Sequence, residues 1–130
     1  MNIVLDTNIL VSAIWSPGRN ASVILNSVFA HKFTVCYDHR ILEEYDRVLH
    51  YPKLGFSEWE INAILAPIVK NGISVVADPA TDIPFERDET DRKFYEVAKL
   101  CNAVLITGNR KHYPPEEFIM EMYGFIQKYM

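Results

Sequence analysis

Apolar residues recur along this chain in two rhythms, and their alternation predicts its elements. Residues 1–5, rich in Ile, Val and Leu, run into Asp6, Thr7 and Asn8, after which Ile9, Leu10, Ala13 and Ile14 return at helical spacing. A strand is thus expected to end at a carboxylate, followed by a helix over 9–15 that Ser16-Pro17-Gly18 stops. Val23, Ile24, Leu25, Val28 and Phe29 mark a second helix starting near Asn20 or Ala21. Residues 33–37, Phe-Thr-Val-Cys-Tyr, form a strand of β-branched and aromatic residues.

Asp38 is placed to cap the next helix, where Ile41, Tyr45, Val48 and Leu49 share one stripe. Glu43 points away from that stripe, whereas Glu44 lies on its margin and can reach over a sheet end. After the break at 51–55, Ser57 and Glu60 make a capping box for a helix bearing Ile61, Ile64, Leu65, Ile68 and Val69, with Gly72 as its terminator. Residues 73–76 predict a third strand, and 78–84 a loop. The charged run 87–93 feeds a helix with Phe94, Val97, Ala98 and Cys101 on one side, and Asp91 sits on the margin of that face with Asp88 on a similar bearing. Residues 103–107 read as a strand buried on both faces, ending in Thr107-Gly108-Asn109. A short strand at 118–120 and a helix at 123–129, with Phe125 and Ile126 inward, close the chain. Strands alternate with helices, so the expected class is α/β, a three-layer α/β/α sandwich with a mainly parallel sheet.

Length and composition narrow the class of protein. At 130 residues the chain is expected to be one domain, 1–130, and 49% hydrophobic with 23% charged residues is ordinary for a globular protein. No run approaches the roughly 18 apolar residues of a membrane span, and the start has no secretory signal, so a cytoplasmic location without a membrane partner is expected. Cys36 and Cys101 are expected to be reduced, buried thiols. A net charge of −4 argues against nonspecific coating of nucleic acid but is compatible with a nuclease whose acidic residues surround metal ions.

The candidate chemistry lies in the carboxylates. Asp6 either caps the following helix or serves a site at the carboxyl end of a parallel sheet, where open α/β sheets bind ligands. Glu44, Asp88 and Asp91 can converge on the same end, with Asn109 after a neighbouring strand. Gathering like charges is unfavourable unless a cation joins them, and oxygen-only donors suit Mg2+ or Mn2+. Two such ions could activate water and stabilise both oxygens of a phosphodiester displacement. Thr7, Asn8 and Thr107 are then donors that orient the carboxylates. Arg110, Lys111 and His112 are either a phosphate-touching loop or plain surface. Trp15 and Tyr113 either stack bases or belong to the core. Arg87 and Arg92 are expected to neutralise the acidic cluster rather than touch substrate. A phosphotransfer role for Asp6 is disfavoured because no second Asp follows two residues later.

These segments carry a resemblance. Residues 3–10, Ile-Val-Leu-Asp-Thr-Asn-Ile-Leu, are similar to the start of PIN domains, and 41–45, Ile-Leu-Glu-Glu-Tyr, resembles the segment supplying that family's glutamate, here Glu44. Residues 87–98 resemble the central acidic motif, with Asp91 in the position of the principal metal-binding aspartate and Asp88 in that of an additional acidic residue. Residues 107–114 are similar to the segment after the fourth strand. The resemblance spans essentially the whole chain, and its specificity comes from four short pieces in the right order. It is nearest to the branch described as toxins of toxin–antitoxin systems. It implies metal-dependent cleavage of single-stranded RNA, an antitoxin partner and a homodimer, with Asp6, Glu44, Asp88, Asp91 and Asn109 around Mg2+ or Mn2+. Many PIN domains have aspartate where this chain has Asn109, which implies a more weakly held second ion. The alternative is a catalytically weak or silent PIN-like module that binds RNA or a protein.

Overall fold

The computed structural model describes residues 1–79, 85 and 89–130. Five strands, β1 (Asn2–Leu5), β2 (Thr34–Tyr37), β3 (Ile73–Ser74), β4 (Val104–Ile106) and β5 (Ile119–Met120), form one sheet in the order β3-β2-β1-β4-β5. Every neighbouring pair is parallel. The helices are α1 (Thr7–Trp15), α2 (Asn20–Phe29), α3 (His39–Leu49), α4 (Glu58–Asn71), α5 (Arg92–Cys101) and α6 (Met122–Tyr129). Successive strand residues point to opposite faces. In β1, Ile3, Val4 and Leu5 are all fully buried, so helices cover both faces and the expected α/β/α sandwich is the fold. From β1 the chain winds outward to β2 and β3, then returns to lay β4 and β5 on the opposite side. That reversal leaves a crevice beyond the carboxyl ends of β1 and β4.

Local chemistry sets the helix starts. The Asp38 carboxylate accepts the Ile41 amide at 3.0 Å, capping α3. Ser57 accepts the Glu60 amide at 3.1 Å while Glu60 accepts the Ser57 amide at 2.9 Å, which is the reciprocal capping box of α4. The third strand is shorter than its β-branched run predicts: only Ile73 and Ser74 pair as strand, the Val75 amide adds one bond to the Tyr37 carbonyl, and Val76 is 88% exposed. This strand is an edge with a partner on one side only, so propensity outruns pairing there.

Gly72 ends α4 for a different reason from the one its sequence position suggests. Its backbone is extended, with φ −83° and ψ 179°, rather than left-handed. A Cβ at this position would stand 2.4 Å from the Ile68 carbonyl oxygen and 2.6 Å from that of Val35. Glycine is therefore required by close approach of two backbones. Cys36 and Cys101 are both free, the first buried and the second half-buried. Burial, and then a hydrogen bond to the Cys101 thiol, push the Cys36 thiol up to about 12, so it is a neutral core group at physiological pH. Among the described residues no helix is long and apolar enough to cross a membrane.

Replacing Gly72 by Ala forces the α4 terminus and β2 apart. Urea denaturation of G72A should show a loss of about 1–3 kcal/mol, at least that of S57A, whose lost cap costs about 1 kcal/mol. An unchanged midpoint would mean that the two carbonyls yield freely.

Candidate active site

Strand register builds the centre of the site. Ile3, Val4 and Leu5 pair with Val104, Leu105 and Ile106, so the next residues along, Asp6 and Thr107, stand side by side where the strands end. The Asp6 amide bonds the Ile106 carbonyl at 3.0 Å. The Thr107 hydroxyl donates to Asp6 Oδ2 at 2.8 Å, and the Tyr113 hydroxyl donates to the same oxygen at 2.9 Å. Asp6 holds the N-cap position of α1 but makes no side-chain capping hydrogen bond. Its carboxylate is committed to the two hydroxyls, and Oδ1 is left without a side-chain donor among the described residues. Tyr113 is therefore not a base-stacking platform: it is buried, with the Phe85 ring edge-on at 6.0 Å.

Glu44 comes to the same crevice from α3. The Tyr45 hydroxyl donates to the Leu5 carbonyl, the last of β1, and this fixes the helix against the strand end. Thr7, buried at the start of α1, donates its hydroxyl to Glu44 Oε2. The other oxygen, Oε1, receives the Lys93 ammonium at 2.7 Å, and both side chains of this pair are nearly buried, 12% and 13% exposed. Glu43, one residue earlier, is exposed and paired with Arg47, as its place on the helix predicts.

Asp91 ends a 3-10 turn, Glu89–Asp91, and takes the N-cap position of α5 without a capping hydrogen bond. His112 Nδ1 lies 3.4 Å from Asp91 Oδ2, so His112 has a carboxylate neighbour that sequence spacing did not reveal. Asn109 is exposed, with φ −131° rather than a left-handed turn. Its amide donates to the Thr107 hydroxyl at 3.0 Å, and its side chain forms no hydrogen bond with the described residues. The Asn8 side chain accepts the Gly108 amide at 3.1 Å, tying α1 to the loop after β4 rather than donating to a carboxylate. Asp88 and Arg87 lie outside the described residues. Arg92 pairs with Glu89 and covers the Phe85 ring at 4.7 Å. Arg110 is occupied by the Ile119 and Glu116 carbonyls. Trp15 is exposed at the far end of α1, edge-on to Phe56 at 6.1 Å.

Further charges lie beside the site, at the end of β2 and on α3 and α5. Asp38 and Glu96 are buried, and Arg40 serves both: Nη2 stands 2.7 Å from Asp38 Oδ2, and Nη1 donates to Glu96 Oε1 at 2.8 Å. The Nη2 contact is an ion pair without hydrogen-bond geometry. Beside Lys93 opens a hollow of about 520 Å3 whose lining mixes cations, Arg40 and Arg92, with acids, Glu43, Glu89 and Glu96. A groove of about 600 Å3 between α3 and α4 holds none of the site carboxylates.

Burial is the largest influence on Asp6 and raises its pKa. Thr107 and Tyr113 pull it down by donating to the charged form, Glu44 pushes it up, and the Asn8 amide lowers it slightly. The Tyr113 hydroxyl is held far above its ordinary value, first by burial and then by the negative charges of Asp6, Asp91 and Glu44. Three carboxylates from three elements thus act on one hydroxyl. Yet among the described residues no three His, Cys, Asp or Glu side chains are close enough to hold an ion between them. The two observations agree once range is considered, because charges are felt well beyond ligating distance. Asp6 Oδ1, without a side-chain donor among the described residues, is an oxygen of the kind that hard divalent cations take. Glu44, held by Lys93, does not stand in a ligand's position. The sequence does not single out Lys93 or Glu96, and it offers Tyr113 as a base-stacking or core aromatic rather than as a donor to Asp6.

Residues 2–111 match the family model described as the PIN domain. An uncharacterized protein of Methanocaldococcus jannaschii is 32% identical over 111 residues, which cover 85% of this chain and 72% of that protein. The crystal structure of VapBC2 from Rickettsia felis, bound to a DNA fragment from its promoter, contains a chain that superposes with a TM-score of 0.57 at 19% identity. That likeness covers 93% of this chain and 97% of the other, and at such identity it speaks to the fold.

A carboxyl group with a raised folded-state pKa favours folding while protonated. That contribution is full below the unfolded carboxylate value and is lost as pH rises through the folded one. At neutral pH the charge on Asp6 opposes folding. Asp6→Asn should therefore resist urea better than the parent at pH 7 in EDTA. The gap should close as the pH falls toward about 4, where the unfolded carboxylate protonates. A variant less stable than the parent throughout would refute this account of Asp6.

Proposed function

The chain belongs to the PIN-domain family, and we propose that it is a metal-dependent endoribonuclease that cleaves single-stranded RNA, the toxin of a toxin–antitoxin pair. The observation that carries this proposal is the crevice at the reversal of strand order. There Asp6, Glu44 and Asp91, from β1, α3 and the start of α5, act electrostatically on the single Tyr113 hydroxyl. A protein that needed no cation would gain nothing from burying Asp6 beside further carboxylates.

In this proposal Asp6, Glu44 and Asp91 hold Mg2+ or Mn2+, and Asp88 and the neutral Asn109 complete the donor set. The ion, when bound, stabilises charge on the phosphate oxygens and makes water a better nucleophile. The chain's own part is orientation. Thr107 and Tyr113 fix one oxygen of Asp6 and favour its ionised form, and Thr7 holds one oxygen of Glu44. These are second contacts of the kind whose loss costs about 10–100-fold in metal affinity or activity. The exposed Lys111 provides a cationic approach for the RNA backbone. Likeness to a chain of the VapBC2 structure supports a small antitoxin protein as partner. A short reading frame beside this gene whose product co-purifies with it would add to that support.

A second reading rests on Asn109, neutral and without a side-chain hydrogen bond among the described residues. It makes the chain a silent module that binds RNA or protein without turnover. Calorimetric titration with Mg2+ or Mn2+ separates the two, since this version binds RNA but no ion.

The decisive assay is cleavage of a labelled single-stranded RNA by the parent and by D6N, E44Q and D91N. Parent activity should require Mg2+ or Mn2+ and vanish in EDTA. Each variant should fall to the EDTA background while keeping the parent's circular dichroism spectrum. Full activity in a pure D6N preparation would sink the mechanism.

A further inference from the structure

The Lys93 ammonium occupies an unusual place: it is nearly buried, 2.7 Å from Glu44 Oε1, within a group of carboxylates that a divalent cation is proposed to neutralise. Thr7 takes the other Glu44 oxygen, so both oxygens of this carboxylate are engaged by the protein itself. Lys93 also donates to the Thr90 carbonyl at 2.5 Å, and its nitrogen lies 5.2 Å from the centre of the Phe94 ring. Thr90 directly precedes Asp91. The ammonium therefore joins α3 to the turn bearing the third carboxylate and supplies a positive charge to both.

An ion shared by Asp6 and Glu44 must approach a Glu44 oxygen that already accepts a donor, Thr7 at Oε2 or, at Oε1, the Lys93 ammonium, whose charge repels it. Displacing Thr7 would leave a buried hydroxyl without its acceptor. Displacing Lys93 lets one cation replace another, while the ammonium keeps the Thr90 carbonyl as an acceptor. We propose that Lys93 is the resident counter-ion of the cleft: it neutralises Glu44 in the ion-free protein, yields that carboxylate to an incoming divalent cation, and so sets how tightly this site holds metal. The inference rests on the metal-dependent proposal above and adds a positioning residue to it.

Two states of Glu44, one on Lys93 and one on the ion, compete, and removing the first strengthens the second. The experiment is Mn2+ titration by calorimetry of the parent, K93M, K93Q and K93R, without RNA. K93M and K93Q should bind Mn2+ about tenfold more tightly than the parent, within the 5–150-fold range of such couplings. K93R, which keeps the charge, should stay near the parent. In EDTA K93Q should melt below the parent, and saturating Mn2+ should erase that difference. A measurement on the parent alone guards against variants that fold poorly: the Lys93 ammonium resonance in a 15N spectrum should move when Mg2+ is added. Unchanged or weaker Mn2+ binding in both neutral variants, or an ammonium resonance indifferent to Mg2+ at saturation, overturns the proposal and leaves Lys93 as a tie between α3 and α5. A parent that binds no Mn2+ is a separate failure, because it removes the metal-dependent function itself.

Discussion

A carboxylate held nearly dry at the end of the central strand is the constraint on which the rest of this molecule turns. Asp6 is 6% exposed, and an isolated charge so placed is costly. The parallel register of β1 with β4 meets part of that cost by delivering Thr107 alongside, and the loop beyond β4 returns Tyr113 to the same oxygen. Phe85 and Tyr95 pack edge-on with each other, and Phe85 in turn backs the Tyr113 ring. The sheet order matters for the same reason. With β4 on one side of β1 and β2 on the other, helices from both halves of the chain can aim side chains at one crevice.

Charge around that crevice is arranged in pairs that cross between elements. Lys93 of α5 meets Glu44 of α3, and Arg40 of α3 meets Glu96 of α5, so the two helices exchange ion pairs at two levels. Arg40 is more than a third exposed, and solvent screens its contribution. Glu96 and Asp38 are buried, however, so the guanidinium that reaches both matters more to them than to a surface pair. The net charge of −4 hides this organisation: Arg40, Arg92 and Lys93 each stand against an acid contributed by a neighbouring turn or helix.

Features governed by neighbours in the chain could be read from the sequence. The end of β1 at Asp6, the Asp38 cap, the Ser57–Glu60 capping box and the separation of Glu44 from Glu43 depend on spacing within one helix or one turn, and periodicity carries that information. Features governed by contact across the fold could not. Glu96 lies beyond the charged run 87–93, and nothing in its own helix indicates that Arg40 of α3 meets it in a buried place. Tyr113 could have been core or surface until β4 fixed where its loop returns. Gly72 was expected as a terminator, but its cause, two carbonyls from α4 and β2, involves a strand far away in sequence. Residues 75 and 76 suit a strand by type, yet among the described residues only one bond, from the Val75 amide to Tyr37, continues the pairing, and pairing is not encoded in type.

Adjacent residues of α3 do two different jobs: Tyr45 grips the last carbonyl of β1, and Glu44 reaches Thr7 and Lys93. Because each helical residue turns about 100° from the last, these jobs share one angular setting. The helix therefore works as a keyed shaft rather than a smooth rod. One residue inserted between the Asp38 cap and Tyr45 would rotate anchor and acid out of place together. One inserted beyond Gly55, outside α3, would disturb neither. In descendants of this chain, length should be held fixed from 38 to 45 even where the intervening side chains are free to drift.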